Sequence, residues 1–283
     1  MSDILEGFVQ KKEFLVCIDS DGCAIDSMES KHKTCFGPCL VKQWKLEPWE
    51  DQILNRWNEI NLYTQTRGIN RYKGLALILR EVDQKYKRVD GLEALEGWVQ
   101  SATELSDAGI EERWKECGAL ILKQALEWSR QVNGRIDVMP PEEKCAFEGV
   151  RQALHKAHEM ADLVIVSSAN RQAVLEEWKR QGLLEYADLV LSQDAGTKAD
   201  CIRSLLTAGY DHGRVLMVGD APGDCLAAEE NAVLFYPIMV KRETESWKRF
   251  MTEALDKLKQ GTYAGAYERQ LIEAFRDNLR DRQ

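Results

Sequence analysis

No stretch of the chain approaches the ~18 consecutive apolar residues needed to cross a bilayer, so no membrane span is expected. A signal-type opening is missing too. MSDILEGFVQKKEF carries acidic residues early and has no apolar region, and nothing in it marks the chain for export. Basic charge is scarce: 38 Lys and Arg stand against 47 Asp and Glu, a formal net charge of −9. That balance argues against a nucleic-acid surface, which needs a basic patch. There is no disulfide framework. The eight cysteines are scattered, with Cys17, Cys145 and Cys201 inside apolar runs; this usage suits reduced thiols and a cytoplasmic location. Internal repeats and low-complexity segments are absent as well. What is present is the composition of an ordinary folded protein, 44% hydrophobic and 30% charged over 283 residues, enough for one large domain or two modest ones.

Three short apolar runs stand out: FLVCI (14–18), LVIV (163–166) and VLMV (215–218). They are rich in Val, Ile and Leu and show no polar alternation, the pattern of parallel strands buried on both faces. DLVLS (188–192) and AVLFY (232–236) are weaker runs of the same kind. Between them, segments 171–182, 197–209 and 221–232 read as helices; the first places Val174, Leu175 and Trp178 on one face and ends at Gly182. Strand–helix repetition predicts an α/β fold, a Rossmann-like doubly wound parallel sheet. From about Ser27 to Met139 no strand is evident, only apolar residues at helical spacing, and six of the eight tryptophans fall there. A structureless loop of that length is implausible. The expected division is therefore a core of residues 1–26 and 141–240, an inserted all-helical domain of residues 27–140 returning at Pro140–Pro141, and helices in 241–283 packed on the core or on a partner.

The strand ends carry the chemistry. The first run closes in Asp19-Ser20-Asp21-Gly22, and the third leads through Gly219 to Asp220 and Asp224. The second ends in Ser167-Ser168, offering hydroxyls and backbone N–H groups, and Lys198 follows the fourth. Ligands of open α/β sheets bind just beyond the carboxyl ends of strands. Taken singly, each feature reads equally well as a turn, a helix cap or a solvated surface residue. Taken in order, each after its own strand, they gather acids, a hydroxyl and a cation at one sheet edge. Two like unit charges ~4 Å apart repel by roughly 4 kcal/mol at an effective dielectric near 20, so a cation is expected among the acids. Oxygen-only ligands favour Mg²⁺ over zinc.

At these residues the sequence resembles the haloacid dehalogenase-like superfamily. FLVCIDSDGCAIDS is similar to its first motif, VIVSS to its second, Lys198 in GTKADCI to its third and VGDAPGD to its fourth. The resemblance implies that Asp19 is a nucleophile forming an aspartyl-phosphate and that Asp21 is the general acid/base. It makes Ser167 a hydrogen-bond donor to the phosphoryl group and Lys198 the neutralising cation. It also implies Mg²⁺ held by Asp19, the carbonyl of Asp21 and Asp220, with Asp224 in or just behind that shell. An acid at position 21 favours a phosphate ester over a halide or phosphonate. Cys23 departs from the family, which usually has threonine or an aliphatic residue there.

The inserted helical domain resembles the superfamily's first class of cap, seen in β-phosphoglucomutase and phosphonoacetaldehyde hydrolase. TRGINRYKG (66–74) places Arg67, Arg71 and Lys73 around a glycine in an otherwise acidic chain, and is similar to the specificity loop of such caps. That comparison makes Asn70, Arg71 and Lys31, with His32, candidates for substrate contact, together with Ser168 on the core. Trp44, Trp49 and Trp57 fall close to the supposed entrance. Cys35, Cys39 and His32 lack a fourth ligand nearby and make a poor zinc signature. The resulting expectation is a Mg²⁺-dependent phosphomonoester hydrolase acting on a small phosphorylated metabolite, as monomer or homodimer, without nucleic-acid or membrane partners. A phosphomutase of the β-phosphoglucomutase type uses the same acids and is the alternative. An idle interaction protein would have no reason to keep Asp19, Asp21, Lys198 and Asp220 together.

Overall fold

The computed structural model describes residue 5 and residues 7–280. The chain divides into two compact units, residues 1–27 with 141–283, and residues 28–140.

The first unit is built on five parallel strands. They are β1 (Phe14–Ile18), β4 (Ala161–Val166), β5 (Leu189–Leu191), β6 (Val215–Gly219) and β7 (Leu234–Pro237), in the spatial order β5-β4-β1-β6-β7. Every residue of β1, β4 and β6 is buried. Val16 pairs with Leu163 on one side and Leu216 on the other, so β1 has no edge and no solvent face. This double burial is why its sequence is a continuous apolar run rather than an alternation. From β1 the chain winds outward through β4 and β5 on one side and through β6 and β7 on the other. The order reverses beside β1, and a ligand crevice belongs at the carboxyl end of such a switch point.

Helices Val150–His158, Arg171–Arg180, Lys198–Leu206 and Pro222–Glu230 connect the strands. The helix from Lys198 stops at Leu206, three residues short of the glycine that its pattern suggested. A two-residue antiparallel ribbon, β2 (Ile25–Asp26) with β3 (Cys145–Ala146), stands apart from the sheet. It is too short to leave a periodic signal. Cys145 sits on it and is exposed, unlike the buried Cys17 and Cys201; all eight cysteines are free thiols.

The C-terminal segment covers the sheet edge at β7. Phe235 N–H donates to the Glu268 carboxylate at 2.9 Å, and the Tyr263 hydroxyl donates to the Phe235 carbonyl at 2.7 Å. Phe275, on the helix Ala266–Asn278, meets Phe235 edge to face at 5.6 Å. An edge strand whose N–H and C=O groups are taken up by side chains no longer offers a template for foreign strands.

The second unit is all helical. Its core centres on the helix Leu120–Asp137, whose Trp128 packs edge-on against Phe36, Trp44, Trp57 and Tyr72 at centroid distances of 5.8 to 6.5 Å. Among the described residues no helix is long and apolar enough to cross a membrane.

Candidate active site

The carboxyl end of β1 turns sharply. The Ser20 carbonyl accepts N–H bonds from Ala24 at 3.0 Å and Ile25 at 2.8 Å, and Gly22 closes the turn with an N–H bond to the Ile25 carbonyl at 2.8 Å. Gly22 has φ +80°, a conformation that costs a side-chain-bearing residue ~1–2 kcal/mol, so the glycine of the Asp-x-Asp-Gly motif is a backbone requirement. Asp19 stays in line with β1, its N–H bonded to the Val218 carbonyl at 2.9 Å.

On the neighbouring strand, Asp220 follows β6 and Asp224 lies in the first turn of the helix Pro222–Glu230. The Ala221 N–H donates to Asp224 Oδ2 at 3.0 Å, which caps that helix. Lys198 opens the helix after β5, behind a capping box of Thr197 and Asp200. Its ammonium bonds two acids at once, Asp19 Oδ1 at 2.8 Å and Asp224 Oδ1 at 2.5 Å. Carboxylate oxygens of Asp19, Asp220 and Asp224 all lie within 4.8 Å of one another. The three residues are 6%, 1% and 0% exposed.

Three buried carboxylates this close repel one another, and Lys198 offsets the charge of Asp19 and Asp224 only in part. Burial is the largest influence on Asp19 and pushes its carboxyl well above the ordinary value; Lys198 opposes this, and the negative charges of Asp224 and Asp220 add to it. Burial by itself would lower the Lys198 ammonium, but Asp19 and Asp224 override it and hold the group above its usual range. A divalent cation would resolve the imbalance. The donors are all oxygen, the set that Mg²⁺ takes, and these residues fit it.

Ser167 ends β4, the other neighbour of β1. Its hydroxyl oxygen accepts the Ala169 N–H at 3.1 Å, which leaves the hydroxyl proton available to a ligand. Ser168 is exposed beside it. The Asp21 carboxylate accepts a short hydrogen bond from the Ser27 hydroxyl.

Residues 121–236 match the family described as haloacid dehalogenase-like hydrolase. That span is 116 of the 283 residues, and the likeness to this family is shown for that part of the chain. The matched span contains Ser167, Lys198, Asp220 and Asp224, whereas Asp19 and Asp21 precede it. Among solved structures, a protein from Lactobacillus delbrueckii subsp. bulgaricus provisionally named a phosphoglycolate phosphatase superimposes with a TM-score of 0.50 at 12% identity, covering 90% of this chain and all of the other. At that identity the likeness concerns the fold. A haloacid dehalogenase-like family hydrolase from Streptococcus pneumoniae gives a TM-score of 0.48 at 14% identity, covering 85% of this chain and 91% of its own. No curated protein matches.

Asn70, Arg71 and His32, substrate candidates of the helical unit, have partners inside that unit. Asn70 caps the helix Arg71–Lys85 by accepting the Tyr72 N–H at 2.9 Å, and its amide donates to the Leu105 carbonyl at 3.0 Å. Arg71 donates to Ser129 Oγ at 2.9 Å and Asn133 Oδ1 at 2.7 Å, with its guanidinium 5.1 Å from the centre of the Phe36 ring. Arg67 is buried and donates to the Leu62 carbonyl at 2.7 Å. Lys31 and His32 are buried in a π-helical turn over Lys31–Phe36, His32 stacking on Phe36 at 4.6 Å. Trp44 and Trp57 belong to the aromatic core, and Trp49 packs on Tyr86 at 5.8 Å.

Two residues of the site, Ser27 and Gly219, have no role assigned to them from the sequence. Ser27 gives no signal by its position. Gly219 could have been found: it separates an apolar strand from an acid, and a Cβ there would lie 2.4 Å from the Asp224 side chain.

Proposed function

We propose that the protein is a Mg²⁺-dependent phosphomonoester hydrolase acting on a small phosphorylated metabolite through an aspartyl-phosphate at Asp19. The observation that carries the reading is the Lys198 ammonium bonded to both Asp19 and Asp224 within a buried triad of carboxylates. Asp19, Asp220 and the Asp21 carbonyl would hold the ion, with Asp224 beside them. Mg²⁺ there would offset the repulsion between the nucleophile and the phosphoryl oxygens.

The remaining steps fall to the chain. An Asp19 carboxylate oxygen attacks phosphorus, the P–O bond to the leaving group breaks, and Asp21 gives its proton to the departing oxygen. Asp21, now ionised, takes a proton from water as that water attacks the same phosphorus. The Asp19–phosphorus bond breaks and inorganic phosphate leaves. Splitting one displacement into two lowers each barrier. Lys198 opposes the upward push of burial on Asp19, favours its ionised form together with the bound cation, and balances the incoming charge, and the Ser167 hydroxyl would donate to a phosphoryl oxygen. Free thiols throughout suit a reducing, cytoplasmic setting.

A panel of phosphorylated metabolites with Mg²⁺ tests the activity. Steady phosphate release supports it. Isomerised sugar phosphate without release would assign a mutase instead.

A further inference from the structure

Two indole N–H groups from two different helices of the core unit end on the turn that carries the reactive acids. Trp178, on the helix that follows Ser167, donates through Nε1 to the Ser20 hydroxyl at 2.9 Å, across 158 residues. Trp247, on the helix Glu243–Arg249, donates through Nε1 to the Cys23 carbonyl at 3.0 Å, across 224 residues. Both rings are fully buried, as are Ser20 and Cys23. Core packing alone would bury these rings; it does not require each N–H to finish on the same four-residue turn. Ser20 lies between Asp19 and Asp21, and its carbonyl already holds Ala24 and Ile25. The Trp178 bond therefore fixes the one residue about which the two acids are arranged.

We propose that Trp178 and Trp247 are positioning residues, a two-sided brace that sets the Asp19 and Asp21 carboxylates relative to Lys198 and Asp220. This also gives the C-terminal segment a role, since Trp247 lies beyond the 121–236 span that matches the family. The inference rests on the hydrolase reading. Misplacement of a reacting group by about 1 Å costs up to ~100-fold in rate, so loss of either N–H has a kinetic signature distinct from a loss of packing.

The test uses the full chain and three substitutions, Trp178→Phe, Trp247→Phe and Ser20→Ala. The first two keep an aromatic ring and delete the donor. With an aryl phosphate, kcat should fall by about tenfold or more in each, with KM within about twofold of wild type. Trp178→Phe combined with Ser20→Ala should be no slower than Trp178→Phe alone, because both remove one bond. Mg²⁺ affinity by calorimetry, a readout that needs no turnover, should fall by about threefold or more as Asp19 loses its placement. If Trp178→Phe does not fold, Ser20→Ala carries the test of that bond. Folded variants with wild-type kcat and wild-type Mg²⁺ affinity overturn the brace. A wild-type protein that hydrolyses nothing, but whose Mg²⁺ affinity still drops in both tryptophan variants, sinks the hydrolase reading and leaves the brace standing.

Discussion

Gly219 gives Asp224 the space its carboxylate occupies: a Cβ at position 219 would stand 2.4 Å from the Asp224 side chain. Asp224 bonds Lys198 and caps its own helix from that place, so the glycine is a steric condition of the site. Gly219→Ala should displace Asp224, cost about 1–3 kcal/mol of stability as overpacking does, and cut hydrolysis by at least about tenfold. Thermal unfolding and aryl-phosphate turnover check both effects. Full activity in the variant would mean that Asp224 tolerates another place.

Lys198→Met removes the only ammonium bonded to Asp19 and Asp224 among the described residues. Breaking a buried ion pair from one side costs about 3–5 kcal/mol when the other charge is left behind. Stability should recover in large part when Asp224→Asn is added, while activity stays at least about 100-fold down. Denaturant unfolding of the single and double variants reads the recovery.

Magnesium should raise the unfolding temperature of the wild type. A ligand bound only by the folded state adds about 2.7 kcal/mol at 100 times its dissociation constant. Asp220→Asn, which removes one donor from the triad, should lose most of that shift. Calorimetric scans with and without chelator make the comparison, and an equal Mg²⁺ shift in both proteins would remove Asp220 from the ion's shell.

Asp188 offers a test away from the site. Burial would raise its carboxyl, but the Leu163 N–H, the Lys11 ammonium and His158 outweigh it and hold the group below its ordinary value. The Leu163 N–H and Lys11 bonds are both 3.0 Å long. A lowered folded value means stability that is present above the unfolded value, ~3.9, and lost as pH falls through the folded one. Asp188→Ala should therefore cost about 1 kcal/mol at neutral pH, a modest figure because Lys11 is in solvent. The difference from wild type should shrink at pH below about 4. Unfolding curves at pH 7 and pH 3 measure it.

Much of the fold is legible in the sequence because burial on both faces leaves an unbroken apolar run, as in β1, β4 and β6. β5 and β7 are shorter and signal less clearly, and the β2–β3 ribbon is too short to signal at all. Asp19, Lys198, Asp220 and Asp224 could be picked out because they follow the ends of three strands, β1, β5 and β6, which the topology gathers. Side-chain partners across long separations leave no such trace. Nothing in the sequence joins Trp247 to Cys23, or commits Arg71 to Ser129 and Asn133. Those pairings are set by helix packing, which periodicity does not encode.

The most direct test is turnover by Asp19→Asn. The substitution keeps the size of the side chain and its place beside Lys198 but removes the attacking carboxylate. Wild type should release phosphate from an aryl phosphate in the presence of Mg²⁺, and the folded Asp19→Asn protein should release none above the uncatalysed background. Undiminished release by that variant would contradict the account.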